Sequence, residues 1–159
     1  MIIPYLHSFP GPIPCVKAID LGVILDATKS VGRFNFNTSK KFAIALVNSM
    51  TIAPDKTRVA LMVYNIYPTM LVSFNETDKQ DPSVIKGILE GIEDLKGKTF
   101  TDRAIKKAGE EMFNVAVGGD RPDKPDVLVI LTDGKTNDDS LPYDAVNKPL
   151  KVGVFNFTD

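Results

Sequence analysis

The chain has 159 residues, of which 43% are hydrophobic and 25% are charged, and its formal net charge is -1. This length suits one domain with a substantial core, and the composition is typical of a folded globular protein. The 19 basic and 20 acidic residues are spread along the chain, which argues against a nucleic-acid-binding surface. No apolar run reaches the roughly 20 residues that a membrane-spanning helix needs.

The first 14 residues are rich in proline and predict a tail that precedes the domain, which we expect to span residues 15–159. The tail lacks the basic start of a signal peptide, so either the protein is cytosolic or its true N-terminus lies outside this chain. Cys15 is the only cysteine, which excludes a disulfide within the chain. His7 is the only histidine, so catalysis by a serine–histidine or cysteine–histidine pair is not expected.

The domain begins with a predicted strand and a predicted helix. The apolar run of residues 18–25 is typical of a strand buried on both faces. Apolar residues then recur at helical spacing across residues 36–50, and Asn37 or Thr38 is the expected N-cap of this helix.

A hairpin and two helices follow. Residues 57–65 and 69–74 predict two strands joined by a short turn, the second at the edge of the sheet. A helix is expected after Asp81, which is followed by proline and is therefore a suitable N-cap. Another helix is expected over residues 102–116, with Thr101 as its N-cap.

The last third repeats the opening pattern, since the apolar strand at residues 126–132 also ends in an aspartate, Asp133. A short helix at 143–146 and a final strand at 150–157 complete the prediction. Alternating strands and helices predict an α/β fold, namely a doubly wound, mostly parallel sheet with one antiparallel edge strand and helices on both faces.

Oxygen-bearing side chains follow the ends of the predicted strands. Asp26, Thr28 and Ser30 come after the first strand, and Asp133 ends a later one. Thr99 lies in a polar turn before a helix, at the same edge of the sheet, where ligands of such folds bind. Hydroxyls and carboxylates without imidazole or thiolate suit a hard divalent cation, Mg²⁺ or else Mn²⁺ or Ca²⁺, rather than zinc or copper.

Four segments together resemble the von Willebrand factor type A domain, in the family's order: DLGVILDATKS, VALMVYN, GKTFTDRAI and VLVILTDGK. The resemblance implies a metal-ion-dependent adhesion site and a protein partner that completes the metal coordination with an acidic side chain. The implied metal ligands are Asp26, Thr28, Ser30, Thr99 and Asp133. It also implies an extracellular protein of adhesion or matrix assembly, with collagen or another matrix protein as the leading partner class.

The chain departs from the family pattern near this site. Lys29, Lys98 and Asp102 stand where the family has small residues, usually glycine, and Thr28 replaces a serine. The resemblance further implies a strand and a helix beyond residue 159, so we expect a domain truncated at its C-terminus. It implies that Cys15 pairs with a cysteine of that missing segment.

Two further sets of residues carry expectations. The loops around the metal site should form a rim that selects the partner, and its expected members are Lys29, Lys98, Asp102, Lys135 and Asn137. Glycosylation triplets begin at Asn37, Asn75 and Asn156, and Asn75 is the most plausible acceptor if the protein is secreted.

Three alternatives stay open. Either aspartate alone could cap a helix or turn. Lys29 and Lys98 could mark a degenerate site in a metal-free structural or self-associating module of the same fold. A metal-dependent phosphotransfer enzyme with Asp26 as nucleophile is the remote alternative, because position 28 is threonine where such enzymes carry a second aspartate. The sequence favours a binding module over an enzyme.

Overall fold

The computed structural model describes residues 18–93, 97–134 and 151–156. The strands within this part of the chain are β1 (Asp20–Asp26), β2 (Arg58–Tyr64), β3 (Pro68–Val72), β4 (Asp126–Thr132) and β5 (Lys151–Asn156). The helices are α1 (Gly32–Asn48), α2 (Pro82–Gly91) and α3 (Thr101–Lys107), with a 3-10 turn at Thr77–Lys79 and a π-helical continuation of α3 at Ala108–Met112.

The five described strands form one sheet in the order β3-β2-β1-β4-β5. The strands β2, β1, β4 and β5 are parallel, and β3 is antiparallel to β2 at the edge. The hairpin and its edge position are therefore confirmed, as is the predicted class of a mostly parallel α/β sheet.

The sheet separates two hydrophobic clusters, because successive side chains of a strand point to opposite faces. Leu21, Val23 and Leu25 of β1 belong to the cluster that also contains buried residues of α1 and α2. Ile24 of β1 and Met62 of β2 belong to the other cluster, with buried residues of α3 and its π-helical continuation. Helices therefore cover both faces, as predicted.

The helix starts were predicted less well. Helix α2 begins as expected, with Asp81 Oδ1 accepting hydrogen bonds from the backbone N–H groups of Ser83 (2.8 Å) and Val84 (3.3 Å). Helix α1 instead begins at Gly32, so the prediction of Asn37 or Thr38 as its N-cap is wrong. The chain turns at Gly32, whose φ of 73° suits glycine, and the helix starts at once.

The topology places three loops at one edge of the sheet. The parallel strands β1 and β4 both end there, and α3 starts there after the polar turn. The predicted helix at 143–146 lies outside the described residues. Among the described helices, none combines the length and the apolar character that crossing a bilayer requires.

Candidate metal centre

The first part of the site lies where β1 ends. Asp26 is the last residue of β1 and is fully buried. Its Oδ1 accepts a hydrogen bond of 3.1 Å from the backbone N–H of Thr28, which bends the loop back over the strand. The hydroxyls of Thr28 and Ser30 then lie 2.9 Å apart, with Thr28 buried and Ser30 exposed to solvent.

Thr99 brings a third hydroxyl from the loop before α3. Its hydroxyl donates a hydrogen bond of 2.9 Å to Thr28 Oγ1 and lies 3.2 Å from Ser30 Oγ. Three side-chain oxygens from two distant segments therefore form a small triangle, which we call the hydroxyl triangle. Two of the residues that form it, Thr28 and Thr99, are buried, and the third, Ser30, is exposed to solvent.

The second carboxylate follows β4. Asp133 is 6% exposed, and its charge is close enough to raise the pKa of Asp26. The preceding residue, Thr132, donates a hydrogen bond of 2.8 Å to Asp26 Oδ2 and accepts one of 3.1 Å from the N–H of Gly134. The structure thus brings all five predicted ligand residues to one edge of the sheet.

Tyr64 is a supporting residue that the sequence interpretation missed. It is the last residue of β2, fully buried, and its hydroxyl donates to Asp26 Oδ2 at 3.2 Å. The same hydroxyl lies 2.9 Å from Thr101 Oγ1. Thr101 is the first residue of α3 rather than its N-cap, so that prediction is wrong: its hydroxyl pairs with Tyr64 while Phe100 occupies the cap position. The position of Tyr64 at the carboxyl end of β2 is the one signal that the sequence offers, and this position alone does not show that the hydroxyl reaches Asp26.

The electrostatics of Asp26 favour a positive charge nearby. Burial is the main cause that raises the pKa of Asp26, and the charge of Asp133 raises it further, while hydrogen bonds from Thr28 and Thr132 act in the opposite direction. The hydrogen-bond donors around Asp26 are neutral hydroxyls and one N–H group. A cation between the two carboxylates would relieve the cost of keeping them charged in this buried place.

The hydroxyl triangle also has dimensions that suit a hard cation. An octahedral Mg²⁺ ion with ligands at about 2.0–2.1 Å holds neighbouring oxygens about 2.9 Å apart. The three hydroxyl oxygens are separated by 2.9, 2.9 and 3.2 Å, so they could occupy one face of such an octahedron. The donor set consists of oxygen atoms only, as magnesium, manganese and calcium prefer.

The predicted rim residues are only partly described. Lys29, which lies between Thr28 and Ser30 in the sequence, and Lys98, which directly precedes Thr99, are both exposed. Asp102 is half-buried, and its Oδ1 is enclosed without a hydrogen-bond partner among the described residues. Lys135 and Asn137 lie outside the described residues, and so does Cys15.

The predicted glycosylation sites occupy different surroundings. Asn37 is exposed on α1. Asn75 is exposed too, but its Nδ2 donates a hydrogen bond of 3.2 Å to the carbonyl of Val117, and its backbone packs against Gly119. Asn156 is the last residue of β5. The three asparagines therefore lie on a helix, in a loop and at the end of a strand.

A second acidic group lies at the opposite end of the strands. Asp20 and Asp126 are the first residues of β1 and β4 and pair in register, and Asp120 joins them so that one carboxylate oxygen of each lies within 4.8 Å of the others. Arg121 binds Asp20 Oδ1 through Nη2 at 2.6 Å and Nε at 2.9 Å. This group was not predicted and is separate from the hydroxyl triangle.

Comparison with known proteins agrees with this architecture. The sequence model of the von Willebrand factor type A domain matches residues 20–158. Rat von Willebrand factor is 28% identical over 92% of this chain and 34% of its own length, and human matrilin-3 is 32% identical over 77% and 25%. The chain thus spans a quarter to a third of these relatives.

Among solved structures, the fold is similar to that of proximal thread matrix protein 1 from the mussel byssus. That structure is described as having a zinc-occupied MIDAS motif, where MIDAS stands for metal-ion-dependent adhesion site. The TM-score is 0.77 at 22% identity, over 88% of this chain and 38% of the mussel protein. Since the family model covers nearly the whole described chain, this protein belongs to the von Willebrand factor type A domain family.

Proposed function

We propose that this domain binds a protein partner through a divalent cation, most simply Mg²⁺, in adhesion or matrix assembly outside the cell. The observation that carries the proposal is the hydroxyl triangle beside two buried carboxylates. The mussel byssal matrix protein of similar fold has a zinc-occupied MIDAS motif, which supports the proposal.

Each residue has a distinct part in this proposal. The hydroxyls of Thr28, Ser30 and Thr99 would hold the cation, and Asp26 and Asp133 would balance its charge. When bound, the cation supplies an attraction for an anionic group at an open coordination position. Neutral hydroxyls leave more of the positive charge uncompensated than carboxylates would, so this attraction survives. Ser30 is exposed, which supports access from solvent.

Collagen or another matrix protein is the partner class that the family resemblance suggests first. The partner would present a glutamate or aspartate toward the cation. The proposal is of a binding module without catalytic activity, because position 28 is threonine where a phosphotransfer enzyme of similar topology would carry a second aspartate. A metal-free, self-associating module remains the second candidate, favoured by the exposed cations Lys29 and Lys98 beside the site.

A thermal melt with metal separates these two functions. Mg²⁺, Mn²⁺, Ca²⁺ or Zn²⁺ at millimolar concentration should raise the melting temperature, and EDTA should reverse the rise, because a ligand that binds only the native state stabilises it. Calorimetric titration then gives the affinity of each metal. No shift with any metal would favour the metal-free module.

The second acidic group requires a control in this experiment. Asp126→Asn alters the group formed with Asp20 and Asp120 but leaves the hydroxyl triangle intact. The variant should keep the metal-dependent shift. If it lost the shift while Thr99→Val kept it, the cation would bind at the wrong end of the sheet and the proposal would fail.

A further inference from the structure

Three exposed basic residues lie close to the hydroxyl triangle in the sequence. Lys29 stands between two of its residues, Lys98 immediately precedes the third, and Arg33 follows Ser30 by three positions. All three cations are exposed. None of them takes part in the seven ion pairs found within the described part of the chain.

A fourth cation is held in place at the same edge. Arg103, in the first turn of α3, donates from Nη1 to the carbonyl of Ile66 at 3.1 Å and stacks over the ring of Phe100 at 4.1 Å. Its side chain is exposed but anchored to the β2–β3 turn. We call Lys29, Arg33, Lys98 and Arg103 the basic rim.

The basic rim acts in opposite directions on the two steps of the proposed binding. Positive charge close to the hydroxyl triangle repels a divalent cation and lowers its affinity. The same charge attracts an anionic partner and speeds its association. The rim is therefore a disadvantage for holding the metal alone and an advantage for binding an anionic partner, and this advantage grows with the number of negative charges on the partner.

We propose that the basic rim selects protein segments that carry further acidic residues beside the one that completes the cation. This inference rests on the proposed function and narrows its partner class. Segments with basic residues next to the coordinating carboxylate are disfavoured by the same charges. Two aromatic side chains offer apolar contact to such a segment. Phe34, in the first turn of α1, is 77% exposed, and Tyr67, in the β2–β3 turn, is 72% exposed.

A protein segment fits these features better than a sulfated polysaccharide. A sulfated chain could be bound by the rim cations alone, and it would leave the hydroxyl triangle and the two exposed aromatic rings without a role. A carboxylate-rich peptide uses the rim, the cation and the aromatic rings together.

The test compares two fluorescein-labelled glycine–serine peptides of equal length, one with a single central glutamate and one with four glutamates. Anisotropy titrations in Mg²⁺ should show clearly tighter binding of the four-glutamate peptide, and the difference should shrink as salt screens the rim. The Lys29→Glu/Lys98→Glu variant should lose about tenfold or more in affinity for the four-glutamate peptide. In calorimetry without peptide, the same variant should bind Mg²⁺ more tightly than the wild type.

These opposite changes separate a charge effect from simple damage to the fold. The matched control, Lys41→Glu/Lys151→Glu, reverses the charge at two exposed lysines elsewhere on the surface. It should change neither the affinity for the four-glutamate peptide nor the affinity for Mg²⁺. If the rim variant kept its preference for four glutamates, or bound Mg²⁺ more weakly, the inference would be overturned.

Two further outcomes distinguish this inference from the proposed function. If the wild type bound no metal but still bound the four-glutamate peptide in EDTA, and the rim variant did not, the proposed function would fail and the rim would stand. If heparin bound equally well in EDTA and displaced the peptide, the partner would be a sulfated polysaccharide and the inference would be wrong. Absence of binding to either peptide would also overturn it.

Discussion

Thr132 donates a hydrogen bond of 2.8 Å to Asp26 Oδ2 across a separation of 106 residues. The bond joins the ends of β4 and β1 and holds the carboxylate of Asp26 in place. Because the acceptor is a buried carboxylate, we expect Thr132→Val to lower the free energy of unfolding by about 2 kcal/mol. Urea unfolding measures this, and Thr132→Ser, which keeps the hydroxyl, should lose much less. Equal losses in the two variants would mean that packing of the methyl group, not the bond, stabilises the site.

Thr99 provides the test of the hydroxyl triangle itself. Thr99→Val keeps the shape of the side chain but removes the oxygen that lies 2.9 Å from Thr28. We expect Mg²⁺ affinity to fall at least tenfold, since a cation would lose one of its protein ligands. Thr99→Ser should retain most of the affinity. Calorimetric titration gives both values.

The control for this loss is Thr38→Val, because among the described residues the hydroxyl of Thr38 bonds only to the carbonyl of Phe34 on α1. It should leave Mg²⁺ affinity unchanged. Wild-type affinity in Thr99→Val would instead place the cation away from the hydroxyl triangle.

The convergence of the predicted ligands was accessible from the sequence for a physical reason. Long apolar runs identify parallel strands, and parallel strands end at the same edge of a sheet. Asp26 and Asp133 directly follow such runs, and the turn containing Thr99 precedes a helix, so their common location could be predicted without distances.

Other features depend on contacts that sequence spacing does not reveal. The hydroxyl of Tyr64 reaches Asp26 from a neighbouring strand, and whether a buried tyrosine points along or away from a strand end is settled by packing. The acidic group at the other end arises from the register that sets Asp20 beside Asp126. The early start of α1 follows from the turn at Gly32, and the pattern of apolar residues alone placed it later.

The raised pKa of Asp26 predicts a specific pH dependence. Its cause is chiefly burial, so the native state binds this proton more tightly than the unfolded state does. In EDTA, the free energy of unfolding should therefore fall as pH rises from the ordinary value of 3.8 through the raised native pKa, and then level off. Asp26→Asn cannot titrate, so the difference between wild type and variant should show this decline. Chemical unfolding at a series of pH values measures it.

Asp81 provides a control of opposite sign for that experiment. Hydrogen bonds from Ser83 and Val84 lower the pKa of Asp81, so its stabilising contribution is present above the unfolded-state pKa and is lost as pH falls through the native value. The wild type should gain stability relative to Asp81→Asn as pH rises. If the wild type also gained stability relative to Asp26→Asn as pH rose, the Asp26 carboxylate would be stabilised in its charged form even without a metal, contrary to our expectation.

Arg121 balances the acidic group at the far end of the sheet. It forms a two-nitrogen contact with Asp20, which is fully buried, and its backbone N–H also donates to Asp20 Oδ2 at 2.7 Å. Removing one partner of a buried ion pair leaves the other charge uncompensated, so Arg121→Met should cost about 3–5 kcal/mol of unfolding free energy. Adding Asp20→Asn to Arg121→Met should restore part of the lost free energy of unfolding, because the uncompensated charge of Asp20 is then removed.

Metal binding distinguishes this structural role from that of the hydroxyl triangle. Lys124→Met, which removes a more exposed cation close by in sequence, should change stability little, since its pair with Asp123 lies at the surface. Arg121→Met should unfold at lower urea concentration yet keep the Mg²⁺-dependent rise in melting temperature, because the hydroxyl triangle lies at the opposite end of β1. A variant that lost both together would show that the two ends of the sheet are coupled, and the acidic group would then have to be included in any account of the metal centre.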